Sequence, residues 1–387
     1  MSEPLPDDHE EKWTYKKHTR SKHDVLHYYL KVWTSIVSDS RYSLRVFDCF
    51  AGRGDYYDSD GASPKKLNNI STEAQYPGSP QIILDAVSEH DDKFRSAECY
   101  FMEPADENRR DLEQNLAATD YPSNVNPHIK NGRFPDDVLD IVSDSGGRAG
   151  FALFFIDPFN IKFLDYDTII DISSTDRFDC LITLMTGQLI RWQDSGSHQQ
   201  GYENLYGLSD WKERLETFTP EDISTREAEF YCRRLEENGP ENTLAYMTTE
   251  GDSKRLKYHQ VFTSNAGEGL EAMKESMTRC GSDFTLAYAP KRAEISHSQQ
   301  TLTGGEYMTE EERAKSWILS RFASEQITFD DLVKKAIAER RYADSLRQHY
   351  RQYLIELHNE GEITIPQRER GNSPLKENYL ILFPESQ

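Results

Sequence analysis

Cysteine is sparse and scattered: Cys49, Cys99, Cys180, Cys232 and Cys280 form no C-x-x-C pair and have no paired histidine nearby. This excludes the spacing of a zinc finger or a disulfide framework, and no metal site is expected. Cys49, Cys99 and Cys180 fall in apolar runs, where a free thiol serves as a small hydrophobe in a reducing compartment. No run approaches the roughly 18 apolar residues of a membrane span. Met1 to Glu11 is acidic and lacks the apolar stretch of a signal peptide. The expectation is a cytoplasmic chain without membrane contact. Positive charge is also scarce, since 45 Lys and Arg face 67 Asp and Glu for a formal net charge of −22. Such a surface repels phosphate backbones unless cations are gathered locally. It also suits adaptation to high salt, which bears on habitat and not on chemistry.

A chain of 387 residues suits one large α/β domain with a smaller appendage. Residues 1 to 12 read as a disordered acidic tail with little to bury. From His18 to Val37, apolar residues recur at three- and four-residue spacing, which predicts an amphipathic helix. Lys16, Lys17, Arg20, Lys22 and His23 lie on its polar face and lead-in, either as a solvated face or as a basic edge toward an anionic ligand. Short apolar runs then alternate with helical stretches, the pattern of a covered parallel sheet. Strands are expected at 44–48, 98–103, 125–130, 151–156 and 178–185. A hairpin-like pair at 244–249 and 258–263 completes a seven-stranded Rossmann-like sheet over residues 13 to 290. Two insertions interrupt it, a polar stretch at 55–77 and a partly helical one at 189–237. Residues 291 to 306 read as a linker. Three helices and two short strands in 307 to 387 then predict a winged-helix-like domain, with Arg347, Arg351, Arg368, Arg370 and Lys376 as its cations.

Three strand ends carry the chemistry. Asp48-Cys49-Phe50-Ala51-Gly52-Arg53-Gly54 follows the first strand, and its glycines allow a tight turn and a close backbone approach to a ligand. The turn departs from G-x-G-x-x-G and places Asp55 where a pyrophosphate would come, which argues against NAD or FAD and for a cationic amino-acid ligand. Glu103 closes the next strand, where a carboxylate can accept both ribose hydroxyls. Asp157-Pro158-Phe159-Asn160 ends the fourth, with a carboxylate, a carbonyl and a ring in a sequence able to orient an exocyclic amine and stack on a planar group. Each also has a plainer reading as a strand terminator or a solvated acid.

The ordered series of Lys22, the Asp48 to Gly54 turn, Gly78-Ser79-Pro80, Glu103 and Asp157-Pro158-Phe159 resembles the three-Cys-motif partner (TcmP) family over residues 13 to 290. The resemblance implies a methyltransferase-like Rossmann fold and a partner that carries a three-cysteine motif and resembles radical S-adenosylmethionine enzymes. The expected cofactor is S-adenosylmethionine. Asp48, Phe50, Ala51, Gly52 and Gly54 would hold its amino-acid part, Glu103 its ribose, and Asn131 and Gly132 its adenine. Asp157, Pro158 and Phe159 would position a nucleic-acid or modified-nucleoside acceptor. Alternatively, the chain is a binding partner with a degenerate pocket. Nucleic acid could also meet the winged helix.

Overall fold

In the computed structural model, the described residues are 14–15, 17–38, 43–58, 75–193, 198–219, 226–250, 255–281, 286–287, 309–340, 345–368 and 374–384. The expected acidic tail and linker lie outside them. Thr14–Tyr15 (β1) leads into Lys17–Ile36 (α1), whose apolar stripe of Val25, Leu26, Tyr29, Leu30 and Trp33 is buried. Ser43–Asp48 (β2) is the first strand of the main sheet. The stretch after it, expected as a polar excursion, holds two short strands, Asp55–Asp58 (β3) and Gln75–Pro77 (β4), which join β1 in a three-stranded sheet. The alternating elements follow as Ser79–Ser88 (α2), Ser96–Met102 (β5), Asp106–Ala117 (α3), Val125–Lys130 (β6), Val138–Asp144 (α4), Phe151–Ile156 (β7), Tyr166–Ser173 (α5) and Phe178–Leu184 (β8).

The second insertion is helical, comprising Thr186–Trp192 (α6), Gln199–Tyr206 (α7), Trp211–Thr217 (α8) and Arg226–Asn238 (α9). Its aromatics act as anchors: Tyr202 stacks on Trp211 at 4.3 Å, and Tyr206 meets Phe230 edge-on at 5.0 Å. Asn242–Glu250 (β9) and Arg255–Ser264 (β10) pair antiparallel, and Gly267–Gly281 (α10) and the two-residue Leu286–Ala287 (β11) follow. The main sheet runs β11-β9-β10-β8-β7-β2-β5-β6. Its five strands β6, β5, β2, β7 and β8 are parallel, and β10 inserts antiparallel between β8 and β9. Numbered by appearance within this sheet, the order from the β6 edge is 3-2-1-4-5-7-6, a Rossmann-like arrangement with the switch point beside β2. The seven expected strands are present. The eighth, β11, is too short to leave a periodic signal.

The last segment contains Glu310–Arg321 (α11), Gln326–Thr328 (β12), Phe329–Glu339 (α12), Arg347–Glu360 (α13) and Leu380–Leu382 (β13). A capping box on Thr309 and Glu312 starts α11, and Gly361 ends α13 in the left-handed region. β12 pairs with β13, and Thr364 bridges to Leu382. This module packs on α10 and shares one apolar cluster with the α1 side of the sheet. Arg347 at the start of α13 pairs with Glu271 of α10 and with Asp330 at 2.8 Å.

A buried acid fastens α1 to the sheet. Asp179 of β8 accepts from the Tyr29 hydroxyl and the Trp33 indole N–H, both at 3.0 Å. Burial pushes its carboxyl up to about 6, against the Ser264, Tyr29 and Trp33 donors, which favour the charged form. The folded state therefore binds the proton more tightly than the unfolded chain, whose Asp titrates at about 4. This contribution to stability is complete below about pH 4 and is lost as pH rises through 6. Tyr29→Phe removes a donor from the ionised acid and is expected to cost about 1.5–3 kcal/mol at pH 8 and less at pH 5. Denaturant unfolding at both values checks this, and an equal loss at both contradicts it.

Candidate functional site

Strand register brings the three acidic strand ends together. Asp48 lies opposite Phe101 of β5 and Phe155 of β7, so Glu103 and Asp157 stand two residues beyond its neighbours on each side. Backbone bonds lock the rim. Cys49 N–H donates to Phe155 O at 2.9 Å, Ala51 N–H to Met102 O at 3.1 Å, and Glu103 N–H to Lys130 O at 3.1 Å.

Asp48 is fully buried. Its Oδ1 accepts from Phe50 N–H at 3.2 Å, but its Oδ2 has no hydrogen-bond partner among the described residues. Burial pushes its carboxyl up to about 7. The Ser79 hydroxyl and Phe50 N–H oppose that rise, and the nearby Asp157 and Glu103 carboxylates add to it. Asp55, just past the turn, is buried and also leaves one oxygen, Oδ2, unpartnered, while its Oδ1 holds Arg53 Nε at 2.7 Å. Arg53 reaches Asp111 as well, at 3.5 Å. The turn needs its glycines: Gly52 and Gly54 have φ of +61° and +89°, and Gly78 N–H donates to Gly54 O at 2.8 Å. A Cβ on Gly78 would stand 2.7 Å from that oxygen.

Glu103 is buried with Oε1 accepting from Ala105 N–H at 2.8 Å. Gly132 is buried, and a Cβ there would meet Ile141 Cδ1 at 3.0 Å, whereas Asn131 beside it is exposed. Phe50 is half-buried between the Phe134 and Phe163 rings at 5.8 and 6.2 Å, and Ala51 is buried. Pro158 is buried, and Phe159 is 48% exposed with its ring 4.9 Å from Phe163.

Asp157 has a partner that its local sequence does not reveal. Lys22 of α1 donates to both its oxygens at 2.8 and 2.6 Å, each side chain being 13% exposed, and the same ammonium lies 5.4 Å from the Tyr258 ring centre. Lys22 thus serves the acidic rim and not an anionic ligand. Next to it, burial and then Lys22 drive the His23 imidazole down to about 3, so it is neutral at pH 7. The small sheet adds rings to this corner: Tyr15 stacks on Tyr76 at 4.5 Å, and Tyr56 meets His23 at 5.7 Å. Burial, and then the charges of Asp157 and Asp48, push the Tyr56 phenol upward. Lys22, Asp55, Tyr56 and Ser79 are thereby site neighbours. Of these, Lys22 and Ser79 lay within the motif series, and only the fold shows what they touch. Among the described residues no group of His, Cys, Asp or Glu could hold a metal ion, and no helix is long and apolar enough to cross a membrane.

No protein-family model matches the chain, and no curated protein matches it at a significant level. Solved structures similar to it include a Legionella pneumophila protein of family model DUF519, at 14% identity over 63% of this chain and 85% of that one, with a TM-score of 0.38. Another is Trm1 from Pyrococcus horikoshii, solved with S-adenosyl-L-methionine, at 10% identity over 68% of this chain and 59% of that one, with a TM-score of 0.34. The cyclopropane synthase MmaA2 from Mycobacterium tuberculosis is similar at 10% identity over 66% and 68% of the two chains, with a TM-score of 0.26. Likeness at this level carries no argument about chemistry, and the fold stands on its own strand order.

Gly78→Ala is expected to force Gly54 and Gly78 apart and to destabilise the protein by roughly 1–3 kcal/mol, the usual cost of overpacking. Gly78 itself has φ of −78°, open to any residue, so the cost is the close contact and not backbone strain. If Gly78→Ala melts with the wild type, the close approach is not rigid.

Proposed function

We propose that the chain binds S-adenosylmethionine at the β2, β5 and β6 ends and transfers its methyl group to a nitrogen of a nucleic-acid or modified-nucleoside acceptor. The observation that carries this reading is Asp48, buried at the switch point with one oxygen unpartnered. A buried carboxylate in that state is costly unless a cation meets it. With Asp55 also offering an unpartnered oxygen, the turn suits a ligand bearing an ammonium group and repels a pyrophosphate. The residues therefore fit this cofactor. Asp48 would receive its ammonium, the backbone from Phe50 through Ala51 and Gly52 to Gly54 would pass beneath it, Glu103 would hold the ribose hydroxyls, and Asn131 and Gly132 would flank the adenine.

Bound there, the cofactor supplies an electrophilic methyl group on a sulfonium centre. The protein's task is then alignment, which needs few acid–base groups. Asp157, once released from Lys22, would accept an N–H of the acceptor and turn its lone pair toward the methyl. Pro158 O and the Phe159 ring would fix the plane of the acceptor.

A second reading has its own observation. Phe159 and Ile190 are 48% and 49% exposed, and Gln188 Nε2 donates to Phe159 O at 3.2 Å, which ties the Phe159 loop to the helix that carries Ile190. A partner protein with a three-cysteine motif could cover that face. The C-terminal module is, on this proposal, a winged helix serving protein contact more than nucleic acid. Arg347 is held by acids, Arg347 and Arg351 lie over the Phe329 ring at 5.7 and 5.0 Å, and Arg368 is buried.

Calorimetry tests the cofactor reading. Micromolar binding of S-adenosylmethionine is expected, weakened at least tenfold in Asp48→Asn, since a hydrogen-bonded charge contributes about 1.5–3 kcal/mol. Affinity should rise with pH through about 7, the value at which Asp48 loses its proton, and that rise should vanish in Asp48→Asn. Absence of binding, or binding indifferent to Asp48→Asn and Glu103→Gln together, would leave the chain as a binding partner only.

A further inference from the structure

Beyond Asp157, a polar row continues into the sheet on the α1 side. Ile156 pairs with Ile182, so Thr183 stands beside Asp157, and Thr183 pairs in turn with Gln260 of β10. Leu181 and Phe262, two residues further along, belong to the core beneath α1, so the pleat puts Thr183 and Gln260 on that same face. Gln260 lies between Tyr258, whose ring carries Lys22, and Phe262, whose ring meets Tyr29 at 5.1 Å. Both Gln260 and Thr183 are fully buried. Neither the amide nitrogen nor the amide oxygen of Gln260 has a partner among the described residues, nor does Thr183 Oγ1.

Native proteins rarely leave a buried amide unmet at both ends. Gln260 is about 19 Å, four strand spacings, from the strand that ends at Glu103, so it belongs to no part of the ribose corner. Its amide offers a donor and an acceptor side by side, the pattern with which Gln reads the edge of a nucleobase. The row opens at Lys22 and Asp157, which are partly exposed, and near them the Phe159 ring provides a face for stacking.

We propose that the row Asp157, Thr183 and Gln260 recognises the acceptor, and that the acceptor is a nucleobase whose edge pairs with the Gln260 amide while Lys22 is displaced from Asp157. This rests on the methyl-transfer reading for its chemistry, but its test does not need turnover. Adenosine, guanosine, cytidine, uridine and a mixed single-stranded oligoribonucleotide are titrated into the protein by calorimetry and thermal shift.

Binding of at least one is expected at millimolar concentration or better. Gln260→Leu should weaken it at least tenfold and leave the affinity for S-adenosylhomocysteine within twofold. A free nucleoside binding as well as the oligonucleotide indicates a small-molecule acceptor; the oligonucleotide alone indicates a base presented by a strand. Should Gln260→Leu fail to fold, Thr183→Val, which keeps the side-chain shape, carries the same expectation. Adenosine held in the cofactor site would ignore Gln260→Leu and respond to Glu103→Gln. That result overturns the proposal, as does binding of none of the probes or a Gln260→Leu protein that merely melts higher, the mark of an amide satisfied by internal water. Absence of nucleobase binding by the wild-type protein while S-adenosylhomocysteine still binds removes this inference alone, whereas absence of S-adenosylhomocysteine binding by the wild-type protein removes the cofactor reading.

Discussion

A carboxylate without a countercharge sits at the end of β2, in the middle of the sheet, and the neighbouring geometry is arranged around it. Asp48 is enclosed on both sides by strands whose own ends are acidic, so its burial is opposed only by Phe50 N–H and the Ser79 hydroxyl. The glycine turn passes beside it at φ angles of +61° and +89° that glycine takes without the Cβ penalty of other residues. Gly78 closes on Gly54 from the far side of the inserted segment, which carries Ser79 to the carboxylate. The rim thus gathers carboxyl groups where a folded protein would ordinarily avoid them, a conflict that the proposed cationic ligand would relieve.

The second acid of the rim is handled in the opposite way. Asp157 has its countercharge supplied from within, by a lysine from a helix that precedes the sheet in sequence. The same helix anchors itself one strand further on through Tyr29, Trp33 and Asp179. One element therefore sets both the orientation of Asp157 and the roof over Thr183 and Gln260. A shift of α1 would couple Asp157 to the core of β8 and β10.

Much of the fold was legible because its determinants are local. Alternating apolar runs and helical stripes placed the main elements, and Thr328 and Gly361 marked helix ends by a side chain or the lack of one, whereas the Thr309 cap emerges only in the structure. The acidic strand ends were legible for the same reason. What was not legible depends on pairs distant in sequence. Lys22 and Asp157 are separated by 135 residues, and a basic residue on a polar helix face gives no sign of where it points. The β3 and β4 strands are too short and polar to show a period of two, and they exist because β1 and each other complete their ladders. Gln260 sits in a strand of mixed polarity, and only cross-strand register reveals its neighbours. Asn131 shows the converse: its position after β6 is as expected, but its side chain faces outward.

The claim on which this account stands is that Asp48 is a half-paired, buried acid awaiting a cation. Its side-chain carboxyl carbon can be followed by NMR through a pH titration, with and without S-adenosylmethionine. The account expects a midpoint of about 7 in the free protein and a clear fall when the ligand binds. A free-protein midpoint near the ordinary Asp value of about 4, or one that the ligand leaves unmoved, would contradict it.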